Sequence, residues 1–164
     1  MRIRDAETGD WPAIWAFAQP IIAAGETYPW PRDTSEEWTR AFWMDKEPPG
    51  ATLVAELDGR VAGTVEIHPN HPGQGSHVAN AGFMVDPACG GRGVGRALGE
   101  AAIARAAEDG FLAMQFNAVV ETNTRAVKLW HSLGFTTLAV VPRGFRHPVH
   151  GLVGMHIMHR MLER

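Results

Sequence analysis

The sequence predicts a single α/β domain of the α+β type over residues 1–164, with a mixed sheet of about seven strands flanked by about four helices. Three observations predict it. The elements run β-α-α-β-β-β-α-β-α-β-β, which is not an even βαβ alternation. Asp58-Gly59 stands between two apolar runs and marks a tight hairpin. A strand ending in Val85-Asp86-Pro87 passes through a glycine-rich stretch into a helix of small residues.

Each element has its own signal. Ile3 to Glu7 reads as the first strand. Asp10 caps a helix that tolerates Pro12 in its first turn and carries Trp11, Ile14, Trp15 and Ala18 at helical spacing. Pro20 is expected to kink or end it, and Gly25 closes it. Thr34-Ser-Glu-Glu37 has capping-box form and predicts a second helix with Trp38, Ala41 and Phe42 inward. Thr52 to Leu57 and Val61 to His68 form the hairpin arms, and Pro69 to Ser76 a polar loop. Val78 to Val85 leads into the glycines. Val94, Ala97, Leu98, Ala101 and Ala102 share the face of a third helix, which ends at Gly110. Leu112 to Val120 is a strand. Ala126, Leu129, Trp130 and Leu133 trace a fourth helix, closed by Gly134. Thr136 to Val141 and Leu152 to His159 are the last strands.

Composition excludes several classes. The chain has 164 residues, 45% hydrophobic and 20% charged, enough for one buried core. A net charge of −3 without a Lys/Arg block argues against a nucleic-acid partner. Cys89 is the lone cysteine, so no intrachain disulfide forms and a reducing compartment is expected. No long apolar run predicts a membrane span, and Met1-Arg-Ile-Arg-Asp5 lacks a signal peptide's apolar centre. A cytoplasmic location follows as the expectation.

The glycine stretch carries the chemistry. Gly90-Gly-Arg-Gly-Val-Gly-Arg96 sits where a strand turns into a helix. Such a loop gathers backbone N–H groups around one point, and the helix adds the positive end of its dipole. Arg92 and Arg96 can add charge-assisted contacts to a phosphate. No Gly-Lys pair exists, so a P-loop is excluded, and neither glycine register completes G-x-G-x-x-G. An ordinary turn with glycines for packing is the plain alternative. The pattern Val-Asp-Pro, then x-x-x-Gly-x-Gly, resembles the acetyl-CoA loop of the GNAT superfamily of N-acyltransferases. The family's six positions, usually [Gln/Arg]-x-x-Gly-x-[Gly/Ala], fall on Gly90, Gly91, Arg92, Gly93, Val94 and Gly95. Gly90 departs from the pattern, which removes a side-chain contact and leaves the backbone cradle.

Asn123-Thr-Arg-Ala-Val-Lys-Leu-Trp-His-Ser-Leu-Gly-Phe135 resembles the second GNAT signature, Asn-x-x-Ala-x-x-Leu-Tyr-x-x-x-Gly-Phe. The resemblance implies a mostly antiparallel sheet, acetyl-CoA as cosubstrate, and two central strands parted around its pantetheine arm. It places Phe83, Met84 and Val85 along that arm and Asn123 near the thioester. Asn123 suits a helix N-cap equally well. Trp130 stands where many members have a tyrosine that protonates the leaving thiolate. An indole N–H donates a hydrogen bond but is no acid near neutral pH. Either the thiolate leaves without a dedicated tyrosine, the preferred reading, or Tyr28 reaches in. Members of the family are often dimers, so a homodimer is implied, although no residue marks an interface.

Acyl transfer to an amine also requires a proton acceptor. Glu66 is the first choice, through water if need be, with His68 beside it and His77 before the next strand. A solvated strand position is the plain reading of Glu66. His68, His71 and His77 are read as surface positions rather than a metal site. Asn80 and Asn117 are expected in buried strands, where a carboxamide must find a partner in protein or ligand. Asn80-Ala-Gly-Phe83 and Phe116-Asn117 also resemble a GNAT branch that acetylates proline analogues such as azetidine-2-carboxylate, with matching asparagines on the substrate. The segment Gly25 to Arg32 joins the first two helices, and five of six tryptophans lie at or before position 43. Glu26, Tyr28 and Arg32 are therefore expected at the acceptor, with Arg32 on a carboxylate. The leading expectation is an N-acetyltransferase for a small amine, an amino acid or cyclic analogue. The alternatives are acetylation of a peptide N-terminus or an antibiotic, a non-catalytic CoA-binding regulatory domain, and, ranked last, a nucleotide-binding domain.

Overall fold

Side-chain alternation along the strands sets the layering of the computed structural model, which describes residues 1–162. Its strands are β1 (Arg2–Asp5), β2 (Ala51–Leu57), β3 (Arg60–Pro69), β4 (Val78–Val85), β5 (Ala113–Val120), β6 (Thr136–His147) and β7 (Gly151–Met161). They form one sheet in the order β1-β2-β3-β4-β5-β7-β6. Only β4 and β5 are parallel neighbours; every other pair is antiparallel. Helices α1 (Trp11–Ala24) and α2 (Glu36–Met44) cover one face, and α3 (Val94–Glu108) and α4 (Thr124–Ser132) the other. This is the mixed α+β architecture expected from the element order.

Along the central strands successive side chains leave opposite faces. Leu53, Ala55, Val65, Ile67, Ala81 and Phe83 pack toward α3 and α4 with Leu98, Ala102 and Ala106. Val54 and Met84 pack toward α1 and α2 with Ile14, Phe17 and Trp43. Burying one such aliphatic side chain contributes about 1.5–3 kcal/mol. Both faces of β3 are covered, so its buried run from Ala62 to Ile67 is continuous. Asp58 (φ 54°) and Gly59 (φ 76°) form the β2–β3 turn, the paired positive φ of a type I′ hairpin.

Three expectations are corrected. Helix α1 does not end at Pro20 but runs to Ala24 and stops at Gly25. Pro20 is solvent-exposed, so water can serve the carbonyl of Ala16 that its ring leaves unbonded. In α2 the N-cap is Ser35, whose Oγ accepts from Trp38 N–H, and the inward residues are Thr39 and Trp43. The Thr39 hydroxyl donates to the Ser35 carbonyl at 2.8 Å, so threonine packs as an apolar residue. Trp38, 48% exposed, stacks on Phe42 instead. Strands β6 and β7 also outrun their predicted ends. Past Val141, the predicted end of β6, Pro142-Arg143-Gly144 forms a bulge between Val141 and Phe145, with Arg143 at φ 55°. An edge strand has no outer partner to disrupt.

Arg4 ties β1 to its neighbours. It donates to both oxygens of Asp10 at 2.8 Å and through Nε to Glu56 at 2.9 Å. The guanidinium holds the Asp10 carboxyl below the usual carboxylate range against the opposing effect of burial, and Glu7 N–H adds a further bond. A carboxyl lowered on folding stabilises above its ordinary pKa of roughly 3.9 and loses that effect as pH falls through the folded value. Asp10→Asn is expected to cost about 1–3 kcal/mol at pH 7 and much less at pH 2. Urea unfolding at both pH values checks this; an equal loss at both would contradict it.

Candidate active site

The two parallel strands begin together and then part. Val78 pairs with Ala113 and Ala79 with Met114, and the β4–β5 pairing stops there. On β4, Asp86 N–H donates to the Ala62 carbonyl and the Val78 carbonyl accepts from Asn70 N–H. Even-numbered residues therefore bond to β3, and alternation turns the N–H and C=O groups of Ala81, Phe83 and Val85 toward β5. Asn80 Oδ1 takes the Ala81 N–H at 2.8 Å, and Tyr28 O–H donates to the Phe83 carbonyl at 2.8 Å. The N–H groups of Phe83 and Val85 are left facing the gap. Met84, expected beside them, also lines the cleft, with its backbone paired to Thr64 of β3 and its side chain packed under α1. On the far side β5 bulges, since Phe116 pairs with Met158 and Val119 with His156.

This gap opens into a cleft of about 830 Å³ running from the glycine loop past Phe83 and Phe116 to Tyr28, Glu66 and His68. At one end Gly91 (φ 77°) and Gly93 (φ 81°) alternate with non-glycine residues. An L side chain is strained at such angles, and the alternation faces successive amides the same way. Val94, Gly95 and Arg96 occupy the first turn of α3, where N–H groups lack helical partners. The Gly90 N–H, by contrast, donates to the Pro87 carbonyl and is spent. Gly90, Gly91, Gly93, Val94, Gly95 and Arg96 all line the cleft. Arg92 does not: its guanidinium pairs with Asp58 at 2.8 Å on the outer surface. Cys89 is buried beneath the loop with Arg60 Nη2 3.3 Å from its sulfur.

The other end is aromatic. Tyr28, Trp30 and Phe42 line it, and Trp43 packs behind. Glu66, read from sequence as either a base or a solvated position, is 1% exposed. Its Oε2 accepts from Lys46 Nζ at 2.8 Å and lies 2.7 Å from His68 Nδ1. Lys46 also sits 4.4 Å over the Phe42 ring. His68 is thus part of a cluster rather than a plain surface histidine. No group of three or more metal-ligating side chains occurs among the described residues. Burial, and secondarily the nearby Glu66 charge, push the Tyr28 phenol well above its ordinary range. Tyr28 does reach the gap, but as a donor whose proton is already placed.

The asparagines correct their expected burial. Asn80 is half-buried, and Asn117 lies exposed on the β5 bulge. Asn117 Nδ2 donates to Asn70 Oδ1 at 2.7 Å, and its Oδ1 accepts from Gln115 at 3.0 Å. Both line the cleft, without bonding each other. Asn123 caps α4 through the Ala126 N–H and lines the cleft as well. Trp130 is 6% exposed, with ring centroids 4.6 Å from Phe83 and 4.8 Å from Phe116, so it bridges the parted strands. Glu26 and Arg32 do not reach the cleft. Arg32 folds back over Gly25 and donates to the Ala23 carbonyl, capping α1. Lys46, Asn70 and Gly82 escape sequence reasoning. Lys46 lies in Asp45-Lys46-Glu47, which reads as an ordinary solvated charge run.

Comparison with known proteins agrees with this geometry. Residues 11–135 match the Acetyltransferase (GNAT) family. The chain is 31% identical over 139 residues to N-acetyltransferase aca1 of Schizosaccharomyces pombe, covering 76% of this chain and 66% of that protein. It thus spans slightly under two thirds of that curated relative. The solved GCN5-related N-acetyltransferase from Kribbella flavida shares 53% identity and a TM-score of 0.94, covering 98% of this chain and 97% of that one. The structure of yncA from Salmonella typhimurium, described as a putative acetyltransferase with its cofactor acetyl-CoA, shares the fold at 24% identity and a TM-score of 0.88, covering 99% and 94%.

Proposed function

The chain belongs to the GNAT acetyltransferase family, and from that premise we propose that it acetylates the amine of a small molecule with acetyl-CoA, by direct attack in a ternary complex. The acceptor is an amino acid or cyclic analogue such as azetidine-2-carboxylate. The observation that carries this reading is the single cleft joining freed amides at Gly91–Arg96 to an aromatic end containing Glu66 and His68. The residues fit acetyl-CoA: two left-handed glycines with open space above them, a first helical turn of free N–H groups, and two unpaired strand amides.

Acetyl-CoA supplies an acyl group activated as a thioester. The amides of residues 91 to 96 hold its diphosphate. The Arg96 guanidinium, expected from sequence at the phosphate, instead donates to Ser132 Oγ at 2.8 Å and faces Glu100. The N–H groups of Phe83 and Val85 align the arm in the gap, and one of them donates to the carbonyl oxygen as negative charge develops. Placement supplies much of the acceleration. Trp130 has no acidic proton to give, and Tyr28 keeps its own on the Phe83 carbonyl. The thiolate therefore leaves without a dedicated acid; a thiol pKa of roughly 8.5 makes this tolerable.

Asn80 and Asn117 orient the acceptor. The closeness of Tyr28, Pro29, Trp30 and Phe42 at this end favours a small molecule over a peptide or an antibiotic. The exposed Leu138, Val140 and Val141 on edge strand β6 support the homodimer that the family resemblance implies. Thiol release from acetyl-CoA, screened with proline, azetidine-2-carboxylate, other amino acids, polyamines and aminoglycosides, tests the reading. Turnover is expected with the first three groups. Asn80→Ala and Asn117→Ala should each lower kcat/KM for the acceptor about 10-fold or more with CoA affinity unchanged. Tight CoA binding without turnover on any amine would instead identify a binding module.

A further inference from the structure

Resting on the acetyltransferase reading, we infer that His68 Nε2 takes the acceptor's proton and that Glu66, the first choice from sequence, is a positioning residue behind it. Glu66 is too buried and too committed to meet the amine itself. Its side chain is 2% exposed, and Oε2 serves both Lys46 and His68. The other oxygen, Oε1, lies over Gly82, so close that a Cβ there would stand 2.8 Å from it.

The same contacts prepare His68. A carboxylate only accepts, so the 2.7 Å contact to Nδ1 places the ring proton on Nδ1. Nε2 then carries the lone pair. The ring lines the cleft with 28% of its side chain accessible. The Phe42 ring stands edge-on to it at 5.7 Å and restricts its rotation. His68 is also the cross-strand partner of Asn80, which places the imidazole and an acceptor-orienting carboxamide side by side on one face of the sheet. The ionisable groups around the ring are Glu66 on β3, Lys46 after α2, and Tyr28 after α1. Lys46 balances the Glu66 charge, and Tyr28 stays neutral because burial holds its proton.

The proton accounting closes with these groups. An alkyl ammonium, of pKa roughly 10, arrives protonated. It gives one proton to Nε2, and the freed lone pair forms the N–C bond to the acetyl carbonyl carbon. The C–S bond breaks, and its electron pair leaves on sulfur as thiolate. The second nitrogen proton passes to solvent as the amide forms. The imidazolium, steadied by Glu66, then releases its proton to water.

Two measurements test the assignment. Histidine-selective ¹⁵N NMR on the ligand-free protein should find neutral His68 protonated at Nδ1, and Glu66→Gln should disturb that tautomer. An Nε2–H tautomer in the wild type would overturn the inference without touching the acetyltransferase reading. In kinetics, His68→Gln should lower kcat about 100-fold with CoA affinity kept. His68→Ala should regain activity with added imidazole. Full activity in His68→Gln, with activity lost only in Glu66→Gln, would return the role to Glu66. Absence of thiol release in the wild type would sink the acetyltransferase reading, while the NMR result would still decide the tautomer.

Discussion

Gly93→Glu is expected to abolish CoA binding, with at least a 100-fold loss of affinity, while the protein still folds. Gly93 caps α3 at φ 81°, and nothing lies within 4 Å of a Cβ built there. The substitution therefore meets no packed neighbour, and the left-handed angle costs about 1–2 kcal/mol. The damage is to binding. A carboxylate would stand where the amides of Gly91 to Arg96 and the helix dipole gather to meet a diphosphate, repelling the ligand and bonding those amides itself. Gly93→Ala carries the backbone strain without the charge, and its smaller loss separates the two effects. Calorimetric titration with CoA, alongside a thermal melt, reads both. Affinity within about threefold of wild type would place the diphosphate elsewhere.

Gly82→Ala should do the converse, cutting kcat/KM about 100-fold with CoA affinity intact. An added methyl at Gly82 would lie 2.8 Å from Glu66 Oε1, 3.2 Å from Trp43 Cη2 and 3.3 Å from the Tyr28 hydroxyl. Trp43 cannot yield, being 1% exposed with its indole N–H bonded to Thr64. The carboxylate must move instead, away from Lys46 and His68. A side-chain end is the cheapest thing to shift, so the cost falls on the proton path more than on stability. Initial rates at saturating acetyl-CoA test this, and unchanged kcat/KM would mean that the Glu66 cluster does not serve the reaction.

The glycine loop and its place between strand and helix were legible because their signals are local in sequence. A strand, a glycine loop and a helix start carry their geometry in consecutive residues, and Asn123 to Phe135 repeats the message from a second helix. The strand count was legible too, because alternation and the Asp58-Gly59 turn are short-range signals. The acceptor half is assembled from distant segments, and there the reading weakened. Lys46 gains its meaning only because β3 carries Glu66 beneath α2, and Glu66 reads as solvated until both faces of β3 are seen to be covered. Arg32 suits a carboxylate by type, yet it satisfies the end of its own helix. Asn117 looked buried among Phe116, Val119 and Val120, but a bulge, which no residue announces, turns it out toward Asn70.

A crystal structure of the protein soaked with acetyl-CoA puts the whole arrangement to trial at once. Phosphate oxygens are expected within hydrogen-bond reach of main-chain nitrogens between Gly91 and Arg96, and the acyl end beside Phe83, between the separated strands. Ligand density on any other surface, or strands drawn together over an empty gap, would contradict this placement.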